Sequence, residues 1–150
     1  MNPLEIRYKK FCDFNNVSTF FFHQSPQSYT ELLRKKNAKR PDFYHATMFG
    51  DFFVDVKTSK TDKCHKFILN LEDFYKLSNT ERLLKKVVLI AFPIDPWMAG
   101  DDWGYIPLSK IDGIRKSQED LINKGFEWIG IKYSELKRIN HIYDFLKYTT

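Results

Sequence analysis

The feature that most constrains this chain is the unbroken apolar run VVLIAFPI at residues 87–94. It has strand length and no polar face, so it predicts a strand buried on both sides within a sheet. A sheet covered on both faces needs helices above and below it, which sets an α/β architecture. The rest of the sequence supplies the elements. RYKKFCDF reads as a helical turn or two and Ser18 to Phe22 as a short strand. A helix is expected over about 26–38, opened by Ser25-Pro26 and a Ser28/Glu31 capping pattern, with Tyr29, Leu32 and Leu33 as its apolar side and Arg34-Lys35-Lys36 at its negative end.

Phe52 to Ser59 follows as a strand behind a Gly50-Asp51 turn signal, and Phe67-Ile68-Leu69 as a brief one. Asn70 and Asp73 cap a helix through LEDFYKL, and Ser78 with Glu81 announces a second helix or a kink up to Lys86. WGYIPL (103–108) and FEWIGIKY (126–133) read as strands, separated by a helical stretch over about 109–123. From Ser134, the spacing of Leu136, Ile139, Ile142, Tyr143 and Leu146 predicts a C-terminal helix. The expectation is one α/β domain over residues 1–150, a mixed central β-sheet flanked by helices.

With 150 residues, 43% of them hydrophobic and 17% aromatic, the chain can build a core and is not a disordered segment. No apolar run reaches the ~18 residues of a spanning helix, and MNPLEIRYKK lacks a signal-peptide core, so a cytoplasmic location away from membranes is expected. Cys12 and Cys64 form no CxxC pair, which fits a reducing compartment. The net charge of +5 is unevenly placed. Residues 1–41 carry eight basic and three acidic side chains, which is the entire excess. Such a bias attracts polyanions, nucleic acid above all. Arg34, Lys35, Lys36, Lys39, Arg40 and Lys60 are the candidate phosphate contacts.

The chemistry concentrates between Arg40 and Lys60, RPDFYHATMFGDFFVDVKTSK. Side chains on a strand alternate, so Phe53, Asp55, Lys57 and Ser59 share one face while Phe52, Val54, Val56 and Thr58 take the other, which reads as core. An acid and a lysine on one face are costly if buried without partners. The bland explanations are a salt bridge, or a face that is simply exposed at a sheet edge. Asp42, after Pro41 and one hairpin upstream, raises the alternative that two carboxylates and a lysine meet in one cleft. A turn at Gly50-Asp51 would set Asp42 roughly 13 Å along the hairpin from Asp55's partner, at about 3.3 Å per residue. A turn centred on Met48-Phe49 would instead place Asp42 opposite Asp55, on the same face. The shared-site reading requires that earlier turn, or a bend or bulge to the same effect.

Pro41-Asp42 followed by Asp55-Val56-Lys57, with a helix before and a helix and buried strand after, resembles the αβββαβ core of the PD-(D/E)XK nucleases over about residues 25–94. That superfamily includes restriction enzymes, Holliday-junction resolvases and repair or phage nucleases. The resemblance implies a restriction-endonuclease-like fold and Mg²⁺-dependent hydrolysis of DNA phosphodiester bonds, with Mn²⁺ as a substitute ion. Asp42 and Asp55 would hold the metal, the Val56 carbonyl would be a further ligand, and Lys57 would assist the attacking water. Several members add a glutamate from the preceding helix, and here only Glu31 fits. Asp stands at the second acid, where Glu is commoner. Many members are homodimers; RNA as substrate and a non-catalytic binding module on the same fold stay open.

Other candidates are weaker. Cys64-His65 with Asp62 lacks a second ligand pair for zinc. His23, His45, His65 and His141 are scattered, although His45 lies inside the hairpin. Asp51 is an alternative ligand at a turn, the Asp101-Asp102 pair reads as loop, and Phe20, Phe21 and Phe22 fit a core better than a base-stacking surface. Neither a Gly-rich phosphate loop nor GxSxG occurs, which argues against nucleotide-binding enzymes and serine hydrolases.

Overall fold

The computed structural model describes residues 1–15, 17–22, 31–48, 50–58, 67–94 and 102–138. Its centre is a six-stranded mixed sheet in the order β1 (Thr19–Phe21), β2 (Phe43–Thr47), β3 (Gly50–Val56), β5 (Val88–Pro93), β6 (Trp103–Pro107) and β8 (Lys137–Arg138), beside a two-stranded sheet of β4 (Phe67–Asn70) and β7 (Trp128–Ile131). The chain opens with α1 (Pro3–Phe14), a longer helix than the turn or two expected. Its start is fixed by a reciprocal cap: the Asn2 side chain accepts from Glu5 N at 2.8 Å, and Asn2 N donates to the Glu5 carboxylate at 2.9 Å. Tyr8, Phe11 and Cys12, three and four positions apart, form its buried side.

Next come β1 (Thr19–Phe21), the short helix α2 (Glu31–Lys35), β2 (Phe43–Thr47) and β3 (Gly50–Val56). The first three strands form an antiparallel meander. Thr47 pairs with Gly50 and Phe43 with Val54, so only positions 48 and 49 lie between the strands. This is the earlier of the two hairpin turns considered from sequence. Gly50 and Asp51 are strand residues, and the φ of +137° at Gly50 is one that a side chain would resist. The Ser25-Pro26 and Ser28 helix start, Cys64-His65 and Lys60 lie outside the described residues.

β4 (Phe67–Asn70) leads into α3 (Leu71–Leu84), whose N-cap Asn70 accepts from Glu72 N and Asp73 N. α3 runs through Ser78 without a second start. Glu81, expected to cap such a start, instead accepts from Val88 N at 2.8 Å and ties the helix to the next strand. That strand, β5 (Val88–Pro93), is buried along its whole length and pairs parallel to β3. β6 (Trp103–Pro107) lies antiparallel on its other side.

The predicted helix over 109–123 divides into α4 (Leu108–Ser117) and α5 (Glu119–Asn123). Between them, Gln118 uses its side-chain amide like a strand peptide, bonding Gly130 N and O on β7 (Trp128–Ile131) at 3.2 and 3.0 Å. The C-terminal helix does not begin at Ser134. A 3₁₀ turn over Tyr133–Glu135 precedes β8 (Lys137–Arg138), which extends the sheet beside β6. Extended Leu136 packs over the bare backbone of Gly104, and the rest of the predicted helix, from Ile139 onward, lies outside the described residues.

The expected α/β layering is present, with one revision. The Val54 face of β3 was read as the core, yet both faces are covered. Tyr8, Phe11 and Cys12 of α1 pack with Phe52, Val54 and Val56 below the sheet. Phe74 and Leu77 of α3 and Ile111 of α4 pack with Phe53, Ile90 and Phe92 above it. Among the described residues no helix is long and apolar enough to cross a membrane.

Candidate active site

Asp55 lies on the upper face of β3, at the end where the strand leaves the sheet. It is completely buried, and its strand neighbour Lys57 donates its backbone N–H to Ala91 O of β5 at 2.9 Å. Pairing of Phe43 with Val54 carries Asp42, the residue before β2, to the position facing Asp55. Asp42 is 8% exposed, and Val56 N donates to its Oδ2 at 2.9 Å. The amide and carbonyl of one strand residue point the same way, so the Val56 carbonyl also faces the Asp42 side.

Two lysines and a third aspartate complete the group. Lys57 Nζ sits 3.0 Å from Asp55 Oδ2 and 2.7 Å from Asp73 Oδ2 in the first turn of α3. Lys39 Nζ is 3.6 Å from both carboxylates. The Lys39 backbone is clamped by Thr80, fully buried on α3, whose hydroxyl accepts from Lys39 N at 3.0 Å and donates to Lys39 O at 2.5 Å. Three carboxyl groups and two ammonium groups therefore meet where β3, β2 and α3 converge.

Burial and the neighbouring Asp55 charge push the Asp42 carboxyl up to about 8, against the weaker opposing pull of Val56 N–H and Lys39. Burial alone would lower the Lys57 ammonium, but Asp55 and Asp73 more than reverse that and hold it above its ordinary range. For Asp73 burial likewise acts upward, and Lys57 and Lys39 leave it below the usual carboxylate range. Lys57 is close enough to Asp55 for an ion pair, yet its hydrogen bond is aimed at Asp73. Neither Asp55 oxygen receives an aligned donor. A proton held on Asp42 could be shared with Asp55, which is one way to make the pair tolerable. A hard cation taking oxygen ligands is the other.

No protein-family model matches the sequence, and no curated protein matches it. Among solved structures the chain is similar to Hjc, a Holliday junction resolvase from the archaeal hyperthermophile Archaeoglobus fulgidus. The TM-score is 0.55 at 11% identity, over 87% of this chain and 87% of that one. The fold is restriction-endonuclease-like.

Within this restriction-endonuclease-like fold the sequence candidates separate clearly. Asp42, Asp55, Val56 and Lys57 come together. The exposed face considered for Asp55 and Lys57 is excluded, since Asp55 has no exposure and the Lys57 side chain only 19%, while the salt bridge considered beside it is present at 3.0 Å. Glu31 is exposed at the start of α2, and no three Asp, Glu, His or Cys side chains converge on a metal position among the described residues. Arg34, Lys35 and Lys36 are exposed, whereas Arg40 is buried and so does not offer a surface phosphate contact.

Lys39, predicted as a phosphate contact, belongs to the ionic cluster. Asp73 was missed in any role beyond a helix cap, because nothing in its spacing links it to Lys57. Asp51 sits at the far end of the hairpin, bound by Tyr44 and Lys86. Asp102 pairs with Arg138 at 2.8 Å. His45 is buried in the lower core, its Nε2 2.9 Å from Tyr8 Oη.

Proposed function

We propose that this chain is a divalent-cation-dependent nuclease that hydrolyses DNA phosphodiester bonds. The observation that carries the reading is Asp55, a fully buried carboxylate without an aligned hydrogen-bond donor, faced by a second buried carboxylate one ladder step away. Two carboxylates beside one strand carbonyl suit Mg²⁺, which commonly takes one or two carboxylates and keeps several waters. Asp42, Asp55 and the Val56 carbonyl would hold the ion, and Mn²⁺ would substitute for it. When bound, such an ion neutralises phosphate charge and makes a water molecule more acidic.

The protein's own groups supply the rest. Lys57, kept fully protonated, places positive charge where negative charge develops on the phosphate and orients the attacking water. Asp73 fixes the direction of that ammonium. Lys39 adds a second cation whose backbone Thr80 immobilises. Exposed Arg34, Lys35 and Lys36 meet the phosphate backbone away from the cut. Similarity to the resolvase supports the fold on which this chemistry is placed, and DNA is the substrate proposed by extension.

One observation favours a second reading. With one proton on Asp42, the charges of Asp55 and Asp73 are balanced by Lys39 and Lys57, so the cluster can be neutral without metal. The same fold would then serve as a non-catalytic nucleic-acid or protein interaction module. Divalent-metal titration with nicking of supercoiled DNA separates the two: the nuclease binds metal and cuts, and the module does neither.

A further inference from the structure

Next to the ionic cluster opens a cleft of about 300 Å³ whose walls include Lys57, Asp73, Asn70 and Trp128. Trp128 is the first residue of β7 and pairs with Asn70, the N-cap of α3. The ring is therefore fixed beside the helix end that delivers Asp73 to Lys57. Its strand neighbours Ile129 and Ile131 are fully buried, but Trp128 stays 42% exposed. Phe126, 45% exposed, stands edge-on to it at 6.0 Å between ring centroids.

Single exposed aromatics are ordinary. This one is braced by a second ring and shares its cleft with an ammonium assigned to a phosphate. A ring face and a cation in one cleft match the two halves of a nucleotide, a base with its π-face and a phosphate with its charge. Bases inside a duplex are already stacked on each other, so the ring can be used only by a base that is unpaired.

We infer that Trp128 stacks an unpaired base adjoining the phosphate at Lys57, which makes frayed, gapped or branched DNA the favoured substrate. The inference rests on the nuclease reading of the site.

The test uses forked DNA carrying 2-aminopurine, a base whose fluorescence is quenched by stacking, at the unpaired position beside the fork. A fully paired duplex is the control. Binding is measured without divalent metal, so the outcome does not depend on cutting. The wild type and Trp128→Phe should quench the probe and prefer the fork. Trp128→Ala should lose the quenching and weaken fork binding roughly 5- to 150-fold, the range for one stacked base, with duplex binding unchanged. The exposed position of the ring makes a folded Ala variant the expectation, checked by circular dichroism. Unchanged quenching in Trp128→Ala overturns the inference, as does an equal loss on fork and duplex or no quenching by the wild type. A sedimentation shift in Trp128→Ala without a change in fork binding would assign the ring to a second copy of the chain and also overturn it. Cleavage by the wild type is scored separately, so a nuclease without base stacking, or base stacking without cleavage, would be recognised as such.

Discussion

Asp73, in the first turn of α3, holds the Lys57 ammonium at 2.7 Å while Asp55 lies 3.0 Å from the same nitrogen. One cation thus joins the helix to the central strand, and its direction is set by the residue that is not a proposed metal ligand. Asp73→Asn should lower the cleavage rate by less than Lys57→Ala does. The Lys57→Ala loss is expected at about 10²- to 10³-fold, typical of deleting one preorganised charge donor. Rates from single-turnover cleavage check the order. Equal losses in both variants would mean that Asp73 does more than orient the lysine.

Metal binding should release a proton. Asp42 is raised to about 8, so near pH 6.5 it is mostly protonated in the metal-free protein, and an ion can bind only as that proton leaves. Apparent Mg²⁺ affinity should therefore climb with pH, by up to tenfold per unit, and level off above about 8. Calorimetry at pH 6.5 in two buffers of different ionisation enthalpy would register the proton as a difference in apparent heat.

His45 predicts a second pH effect, on the opposite side of the sheet. Burial lowers its imidazole from 6.5 to about 4, against a smaller upward effect of a hydrogen bond with the Ser18 backbone. The unfolded chain binds the proton below about 6.5 and the folded one does not. The stability from His45 is therefore present above 6.5 and lost as pH falls toward 4, amounting to about 3 kcal/mol. Urea midpoints at pH 7 and pH 4.5 should differ more for wild type than for His45→Gln.

DNA affinity should fall steeply with salt. Replacing Arg34, Lys35 and Lys36 by Ala should weaken binding to all sequences alike and flatten the log–log salt slope by about 0.9 for each phosphate that is no longer neutralised. An unchanged slope would remove α2 from the DNA-binding surface.

Much of this molecule was legible because local pattern and tertiary demand agree. VVLIAFPI had no polar face to present and became the strand buried throughout. Asn70 announced α3 because its side chain has orphan N–H groups to satisfy. The Asp42–Asp55 encounter was legible only as a condition on the hairpin, since two turns fit the same residues and shift Asp42 by four positions. Long-range contacts were not legible. Ser134 to Arg138 form a turn and a strand in which Leu136 packs on Gly104, and Glu81 bonds Val88 N rather than starting a helix. Asp73 looks in sequence like any acid in a first helical turn, and only the crossing of α3 over β3 aims it at Lys57.

The most direct measurement is nicking of supercoiled DNA by wild type, Asp55→Asn and Lys57→Ala, each with Mg²⁺ and with EDTA. The proposed site predicts Mg²⁺-dependent nicking by the wild type, abolished in Asp55→Asn and cut back sharply in Lys57→Ala. Equal nicking by all three proteins, or none by a wild type that also binds no metal, would contradict it.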